Sequence, residues 1–155
     1  MMKLNGPKVS VGIPVYNGED YLEEAIISLL NQTYQNIEII ITDNDSTDNT
    51  SKICEKYLEN DKIKYYKNKV NLGASMNWNI VLSKSRGDYF TWHPHDDVIQ
   101  PKYIETCVRI LENNKDVVLC HSKTAIIDEN GNITGNYDDR TSKYRVYSKK
   151  PYVRF

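Results

Sequence analysis

The sequence predicts an α/β fold, in which a mostly parallel sheet has helices on both faces. Apolar runs of strand length alternate four times with segments of helical periodicity, the order that successive βαβ units produce. The runs 9–15 and 37–42 are rich in apolar, β-branched residues, as expected of central parallel strands covered on both sides. With 155 residues, of which 39% are hydrophobic, the chain can form one such core.

The first two βα units have clear local signals. Strand 9–15 ends at the turn Asn17-Gly18, and Glu19 and Asp20 suit the first turn of the helix that follows. The apolar positions of this helix recur every three or four residues: Leu22, Ala25, Ile26, Leu29 and Leu30. After strand 37–42, residues 45–48 are rich in helix-capping side chains and introduce a second helix. The apolar side of that helix is predicted to consist of Ile53, Cys54, Tyr57 and Leu58.

The third unit begins with run 62–66, where lysines alternate with apolar residues, as is typical of a strand near a sheet edge. A loop at 71–73 precedes a helix over 74–85, and Gly87 is predicted to end that helix in the left-handed conformation. Its inward side is predicted to consist of Trp78, Val81 and Leu82. Strand 88–92 then completes the first four strands.

The sequence after strand 88–92 predicts a fourth helix, another strand and a hairpin. Pro101 opens the helix, and its apolar face is Tyr103, Ile104, Cys107, Val108 and Leu111. Run 117–120 is predicted to be a buried strand, and Asn130-Gly131 predicts a β-hairpin. We expect residues 1–136 to form an incomplete domain and residues 137–155 to begin an acceptor-side region or form a disordered tail.

Composition narrows the possible partners and location. The formal net charge of -1 argues against nucleic-acid binding through positive charge. The three cysteines are widely separated in apolar patterns, which is typical of reduced thiols in a cytoplasmic protein. No stretch of about eighteen apolar residues is present, so any association with the inner face of the membrane would use regions outside this sequence.

Acidic residues follow two of the predicted strands. Asp43 comes directly after run 37–42, and the pair Asp96-Asp97 follows strand 88–92. In an open α/β sheet, ligands bind at the carboxyl ends of the strands, where the strand order reverses. Two such carboxylates can hold Mg²⁺ or Mn²⁺ together with substrate phosphates. The simpler interpretation is that these acids belong to solvated turns and helix caps.

Two loops of the predicted sheet offer further candidate contacts to a nucleotide. The turn after the first strand contains Pro14, Val15, Tyr16 and Asn17, which are either ordinary turn residues or neighbours of a nucleobase. In loop 71–73, Asn71 is either a helix cap or a ligand contact, and Gly73 permits close approach of the backbone.

Two other kinds of protein share part of this pattern. The spacing of His93, His95 and Asp97, with His121 further along, resembles part of a zinc-hydrolase motif, but Val98 stands where that motif requires histidine. A flavodoxin-like regulatory domain with an acidic Mg²⁺ site would have acids after its first strand, where this chain has residues 14–17.

Six segments in the same order resemble the family 2 glycosyltransferases of the GT-A fold, over about residues 8–135. They are residues 9–17, 30–34, 43–48, 71–73, 86–89 and 95–97. The resemblance implies a nucleotide-sugar donor, usually a UDP-sugar, a divalent cation, and a glycan or lipid-linked acceptor. It implies that Asp43 contacts the base, that Asp96 contributes to ribose or metal binding, and that Asp97 lies at the metal.

The chain departs from the family pattern in three places. Pro94 stands where many members have the first acid of an Asp-x-Asp-Asp motif, and Asn44 often corresponds to Asp. No family motif for the catalytic base follows Asp139, so we expect the base to lie beyond Phe155. The alternatives are therefore a sugar transferase and a fragment that binds nucleotide and metal without transferring sugar.

Overall fold

A computed structural model describes residues 6–136 of the chain. In that range four parallel strands form one sheet, and two antiparallel strands form a hairpin. The parallel strands are β1 (Val9–Val15), β2 (Ile37–Asp43), β3 (Ile63–Lys67) and β4 (Tyr89–Trp92). The helices are α1 (Leu22–Leu30), α2 (Thr50–Glu55), α3 (Ala74–Lys84) and α4 (Tyr103–Asn113). The hairpin consists of β5 (Ala125–Ile127) and β6 (Ile133–Asn136).

The chain divides into two compact units, residues 1–105 and 106–155. The parallel sheet belongs to the first unit and the hairpin to the second. The predicted α/β class and the hairpin at Asn130-Gly131 are both confirmed, and Gly131 has a φ of 77° in the turn. The predicted region 137–155 lies outside the described residues, and the boundary at 136 stays a prediction. No helix in residues 6–136 is long and apolar enough to cross a bilayer.

The parallel sheet has the order β3-β2-β1-β4. All seven residues of β1 and all seven of β2 are buried, as their apolar sequences predict. The register aligns Val9 with Ile37 and Val15 with Asp43, so these two central strands end level with each other. α1 adds four buried residues on one side, Leu22, Ala25, Ile26 and Leu29. Each large apolar side chain removed from water stabilises the fold by about 2 kcal/mol.

A buried carboxylate near the amino ends of the strands links β1, β2 and β3. Glu38 is 2% exposed, and Ser10 Oγ donates to its Oε1 at 2.6 Å. Lys64 Nζ lies 2.6 Å from Oε2, and the backbone N–H of Arg86 donates to Oε1 at 2.7 Å. Burial raises the pKa of Glu38, but hydrogen bonds from Lys64, Ser10 and Arg86 outweigh burial and hold the pKa at about 2.

The predicted inward face of α3 is only partly right. Val81 is fully buried, but Trp78 is 37% exposed and Leu82 is 48% exposed. The second buried residue of the helix is Asn77, whose side-chain amide donates to the carbonyl of Thr42 at 2.9 Å. Asn77 thus occupies part of the buried side of the helix, and the Trp78 ring packs against Trp92, with 4.6 Å between ring centroids.

Three further predictions about local structure are wrong. α2 ends at Glu55, which leaves Leu58 50% exposed. Gly87 is not in the left-handed region. It is required because an added Cβ would lie 2.6 Å from the backbone nitrogen of Ser10. Residues 117–120 do not form a strand, and Val118 and Leu119 are both 75% exposed, because no described strand pairs with this run.

Candidate functional site

The strand order reverses beside β1. β2 and β3 lie on one side of β1, and β4 lies on the other. The loops that follow these strands therefore leave the same edge of the sheet, where open α/β sheets bind ligands. The predicted site residues lie at the carboxyl ends of β1 and β2 or in the loops after β1, β3 and β4, and all belong to the first compact unit.

The turn after β1 contains both buried and exposed candidates. The side chains of Pro14 and Val15 belong to the buried strand, and the carbonyl of Val15 accepts the backbone N–H of Asn44 at 2.9 Å. Tyr16 is 46% exposed. Asn17 adopts a φ of 50°. Of these four predicted donor contacts, Tyr16 and Asn17 therefore have exposed side chains.

The loops after β1 and β2 are held together by reciprocal hydrogen bonds. We call residues 16–19 and 46–50 the interlocked loops. Asn17 Oδ1 accepts the backbone N–H of Thr47 at 2.9 Å, and the N–H of Asn17 donates to Ser46 Oγ at 2.9 Å. Glu19 Oε2 accepts the backbone N–H of Asn49 at 3.0 Å. The predicted role of Glu19 in the first turn of α1 is wrong, because that helix begins at Leu22.

Gly18 brings the turn after β1 into contact with the acidic loop after β4. Its N–H donates to Thr50 Oγ1 at 2.8 Å. A Cβ added to Gly18 would lie 2.6 Å from Val15 Cγ2 and 2.7 Å from His95 Cδ2. Only glycine fits without movement, and this close approach places His95 beside the turn.

Asp43 ends β2 and is fully buried. Its Oδ1 accepts the backbone N–H of Ser46 at 2.7 Å. Its Oδ2 accepts the hydroxyls of Ser51 at 3.0 Å and Tyr65 at 2.8 Å. Lys67 Nζ lies 3.7 Å from the same oxygen. The carboxylate is thus surrounded by the protein's own donors.

These contacts determine the charge of the Asp43 cluster. Burial raises the pKa of Asp43, but hydrogen bonds from Ser46, Tyr65 and Ser51 outweigh burial and keep the pKa below its ordinary value. Burial and the Asp43 carboxylate raise the pKa of the Tyr65 hydroxyl. Asp43 is therefore ionised and Tyr65 is a neutral donor at pH 7. Because Asp43 is fully buried, a base reaches its carboxylate only if surrounding side chains move, and the predicted base contact stays a prediction.

Loop 71–73 offers exposed backbone and side-chain groups. Asn71 and Gly73 are both exposed. Gly73 has a φ of 80°, and no atom lies within 4 Å of the position that a Cβ would occupy. Glycine is required here by its conformation rather than by crowding, and the space beside it is open to a ligand.

The acidic pair after β4 is solvent-exposed, whereas the histidine before it is not. Asp96 and Asp97 are exposed, and His93 is buried with 3% exposure. Although Asp97 reaches solvent, desolvation and then the neighbouring Asp96 charge raise its pKa. Burial lowers the pKa of His93 to about 4, so its ring is neutral at pH 7. The backbone N–H of His93 donates to the carbonyl of Gly12 at 2.9 Å and continues the pairing of β4 with β1.

The acidic pair fits a divalent cation whose remaining ligands come from a substrate. Desolvation is the main reason that the pKa of Asp97 is raised, and the neighbouring Asp96 charge adds to it; a bound cation would offset the repulsion between the two carboxylates. Within residues 6–136 no three His, Cys, Asp or Glu side chains are grouped to hold an ion. The zinc-hydrolase alternative, which would need His93, His95 and Asp97 to hold one ion, is therefore contradicted. The His93 ring is buried, whereas Asp97 lies at the surface.

The sequence did not identify the residues that surround Asp43. Ser51, Tyr65 and Lys67 reach it from α2 and β3. Lys67 pairs with Asp43 in the parallel register, and the alternating, lysine-rich pattern of β3 was the available signal. The register of β2 and β3 cannot be read from the sequence, so the sequence did not show that Lys67 lies beside Asp43.

Comparison with known proteins identifies the family. Residues 10–154 match the family model described as Glycosyl transferase family 2. An uncharacterized glycosyltransferase of Rickettsia prowazekii is 47% identical over 123 residues, which cover 76% of this chain and 37% of that protein. One of Methanocaldococcus jannaschii is 35% identical over 150 residues, which cover 95% of this chain and 52% of that protein.

A solved structure agrees with this result. The crystal structure of S. aureus TarS 1-349 in complex with UDP-GlcNAc is 28% identical to this chain, with a TM-score of 0.66. The match covers 70% of this chain and 32% of TarS 1-349. This chain thus corresponds to between about a third and a half of these proteins. It belongs to glycosyl transferase family 2 and has the GT-A fold.

Proposed function

We propose that the protein transfers a sugar from a nucleoside-diphosphate donor, a UDP-sugar, to a hydroxyl group of a glycan or lipid-linked acceptor. The observation behind this proposal is that the exposed residues Tyr16, Asn71, Gly73, Asp96 and Asp97 all lie in loops that follow the carboxyl ends of the parallel strands, whose order reverses beside β1. Membership of family 2 supports the reaction class. The complexes of TarS with UDP and UDP-GlcNAc support the choice of UDP.

In the proposed reaction the acceptor oxygen forms a bond to the anomeric carbon as the bond from that carbon to the diphosphate breaks. The nucleoside diphosphate leaves with the bonding electrons, and a base accepts the proton of the acceptor hydroxyl. A Mg²⁺ or Mn²⁺ ion held by Asp96 and Asp97 would stabilise charge on the departing diphosphate.

The residues of this chain would act mainly by positioning the donor. Tyr16 offers an exposed ring to the base, and loop 71–73 offers open backbone at Gly73. Asp43 would accept an N–H of the base in place of the Ser51 or Tyr65 hydroxyl. The interlocked loops fix the walls of this site before a ligand arrives, which lowers the entropy cost of binding.

A second candidate function is nucleotide and metal binding without transfer. It is favoured by length, because the chain spans 37% and 52% of the two relatives above. Both functions are tested by calorimetric titration of UDP with and without Mn²⁺, followed by transfer from a radiolabelled UDP-sugar. Metal-dependent binding supports the donor site, and transfer by this chain excludes the binding-only function. Absence of UDP binding under both conditions contradicts the proposed site.

A further inference from the structure

Four asparagines form a hydrogen-bonded network beneath loop 71–73. Asn44 follows β2, Asn68 follows β3, Asn71 lies in the loop, and Asn77 belongs to α3. Asn44 Nδ2 donates to Asn71 Oδ1 at 2.8 Å. Asn68 Nδ2 donates to Asn44 Oδ1 at 3.0 Å and to Asn77 Oδ1 at 3.1 Å. We call these four residues the asparagine network.

Asn44 is the centre of the asparagine network. It is 2% exposed, and its Oδ1 also accepts the backbone N–H of Leu72 at 2.9 Å. A backbone N–H can only donate, so this contact fixes which end of the Asn44 amide is oxygen. Its NH₂ group must therefore face Asn71. The side chain of Asn44 thus uses both its acceptor and its donor toward the same loop.

Asn71 connects Asn44 to the backbone of Gly73. Its Oδ1 accepts the Gly73 N–H at 2.9 Å as well as the Asn44 amide. Two consecutive backbone N–H groups, those of Leu72 and Gly73, are therefore held by asparagine oxygens. Gly73 keeps its φ of 80° in this arrangement. The asparagine network thus sets the backbone that faces the candidate donor site.

The other end of the network is attached to the sheet. Asn77 is 3% exposed, and its amide donates to the carbonyls of Thr42 at 2.9 Å and Val15 at 3.4 Å. Thr42 is the next-to-last residue of β2, and Val15 is the last residue of β1. Hydrogen-bonded side chains thus connect the ends of the two central strands to loop 71–73.

We propose that Asn44 is a positioning residue for the donor, acting through Asn71 and Gly73, and that this role requires a neutral amide at position 44. The proposal rests on the proposed function, in which loop 71–73 contacts the donor. An aspartate at position 44 still accepts from Leu72 but places an oxygen against Asn71 Oδ1. If the Asn71 amide turns over to donate, the Gly73 N–H loses its acceptor. Protonation of the new carboxyl restores a donor and the original arrangement.

The test compares the UDP affinity of Asn44→Asp with that of the unaltered chain by calorimetry, in Mn²⁺, at about pH 8 and about pH 5.5. Losing one buried hydrogen bond predicts about tenfold weaker binding at the higher pH. The ratio of the two affinities should move toward one at the lower pH, since a buried carboxyl protonates more readily than an exposed one. Taking the ratio cancels pH effects common to both proteins. Asn79→Asp adds the same charge at an exposed position of α3 and should match the unaltered chain.

A second measurement, amide hydrogen-exchange protection of Gly73 without UDP, separates the two proposals. Asn71→Ala changes an exposed residue and should remove that protection if Asn71 Oδ1 holds the N–H. Protection lost in Asn71→Ala and in Asn44→Asp at the higher pH shows that these two side chains hold the loop backbone. If the unaltered chain also fails to bind UDP, the proposed function fails and only this effect on the backbone stands. Unchanged Gly73 protection in Asn71→Ala overturns the positioning role. An affinity ratio near one at both pH values, or one that does not vary with pH, also overturns it.

Discussion

Replacing Glu38 with Gln should cost the fold much of the stability that its buried carboxylate contributes. The side chain is 2% exposed and accepts hydrogen bonds from Ser10, Lys64 and the Arg86 backbone. Against burial, these donors hold its pKa at about 2, compared with an ordinary value of 4.5. That difference corresponds to about 3 kcal/mol of folding free energy at neutral pH. A glutamine keeps an acceptor oxygen but loses the charge that attracts the lysine.

The pH dependence gives this prediction its sign. The folded-state pKa is depressed, so the unfolded chain binds the proton first as the pH falls. The contribution of Glu38 is complete above its ordinary pKa of 4.5 and is lost as the pH falls to about 2. Within that interval the stability difference between the unaltered chain and Glu38→Gln should shrink by about 1.4 kcal/mol per pH unit.

Urea denaturation followed by circular dichroism measures this difference at about pH 7 and about pH 3. Glu59 is exposed, so Glu59→Gln is a matched control and should change stability by less than about 0.5 kcal/mol. A stability difference for Glu38→Gln that is the same at both pH values would refute the reasoning. So would a loss as small as that of the control.

Three further substitutions test the candidate site. Asp97→Asn should abolish the Mn²⁺-dependent part of UDP affinity and leave the melting temperature unchanged, because the side chain is exposed. Calorimetry with Mn²⁺ or with EDTA separates metal-dependent from metal-independent binding. Unchanged affinity in Mn²⁺ would count against the metal role. Asp43→Ala should weaken UDP binding with or without metal and cost about 2 kcal/mol or more of stability; a binding loss confined to the metal-containing titration would argue against base contact. Gly18→Ala should lower the free energy of unfolding, measured by urea denaturation, by about 1–3 kcal/mol, because the new Cβ would lie 2.7 Å from His95. A stability equal to that of the unaltered chain would show that His95 moves aside freely.

The central strands could be predicted from the sequence because most of their residues are apolar, and many of these are β-branched. β1 and β2 are apolar, β-branched runs, and both are completely buried. The positions of Asp43 and Asp96-Asp97 followed from the ends of runs 37–42 and 88–92, since the carboxyl ends of parallel strands share an edge. The α/β class and the location of the candidate site were therefore accessible from local patterns.

The predictions that were wrong concern features that depend on contacts between residues far apart in the sequence. Asn77 is buried in α3 because its amide bonds to carbonyls of Val15 and Thr42, 62 and 35 positions away. The apolar pattern favoured Trp78 and Leu82 because it contains no information about such polar partners. Residues 117–120 are apolar enough for a buried strand, but a strand also requires a neighbour to pair with. Neither feature can be read from the segment itself.

The interlocked loops have a consequence for how this sequence can change over time. Glu19 accepts two hydrogen bonds from Asn49, one from its backbone and one from its side chain, and Asn17 accepts from Thr47. The bonds from the backbone of Thr47 and Asn49 are available whatever side chains stand at those positions, so they restrict positions 17 and 19 to residues that can accept. The side-chain bond between Asn49 and Glu19 joins two side chains, so we expect positions 19 and 49 to vary together among related sequences.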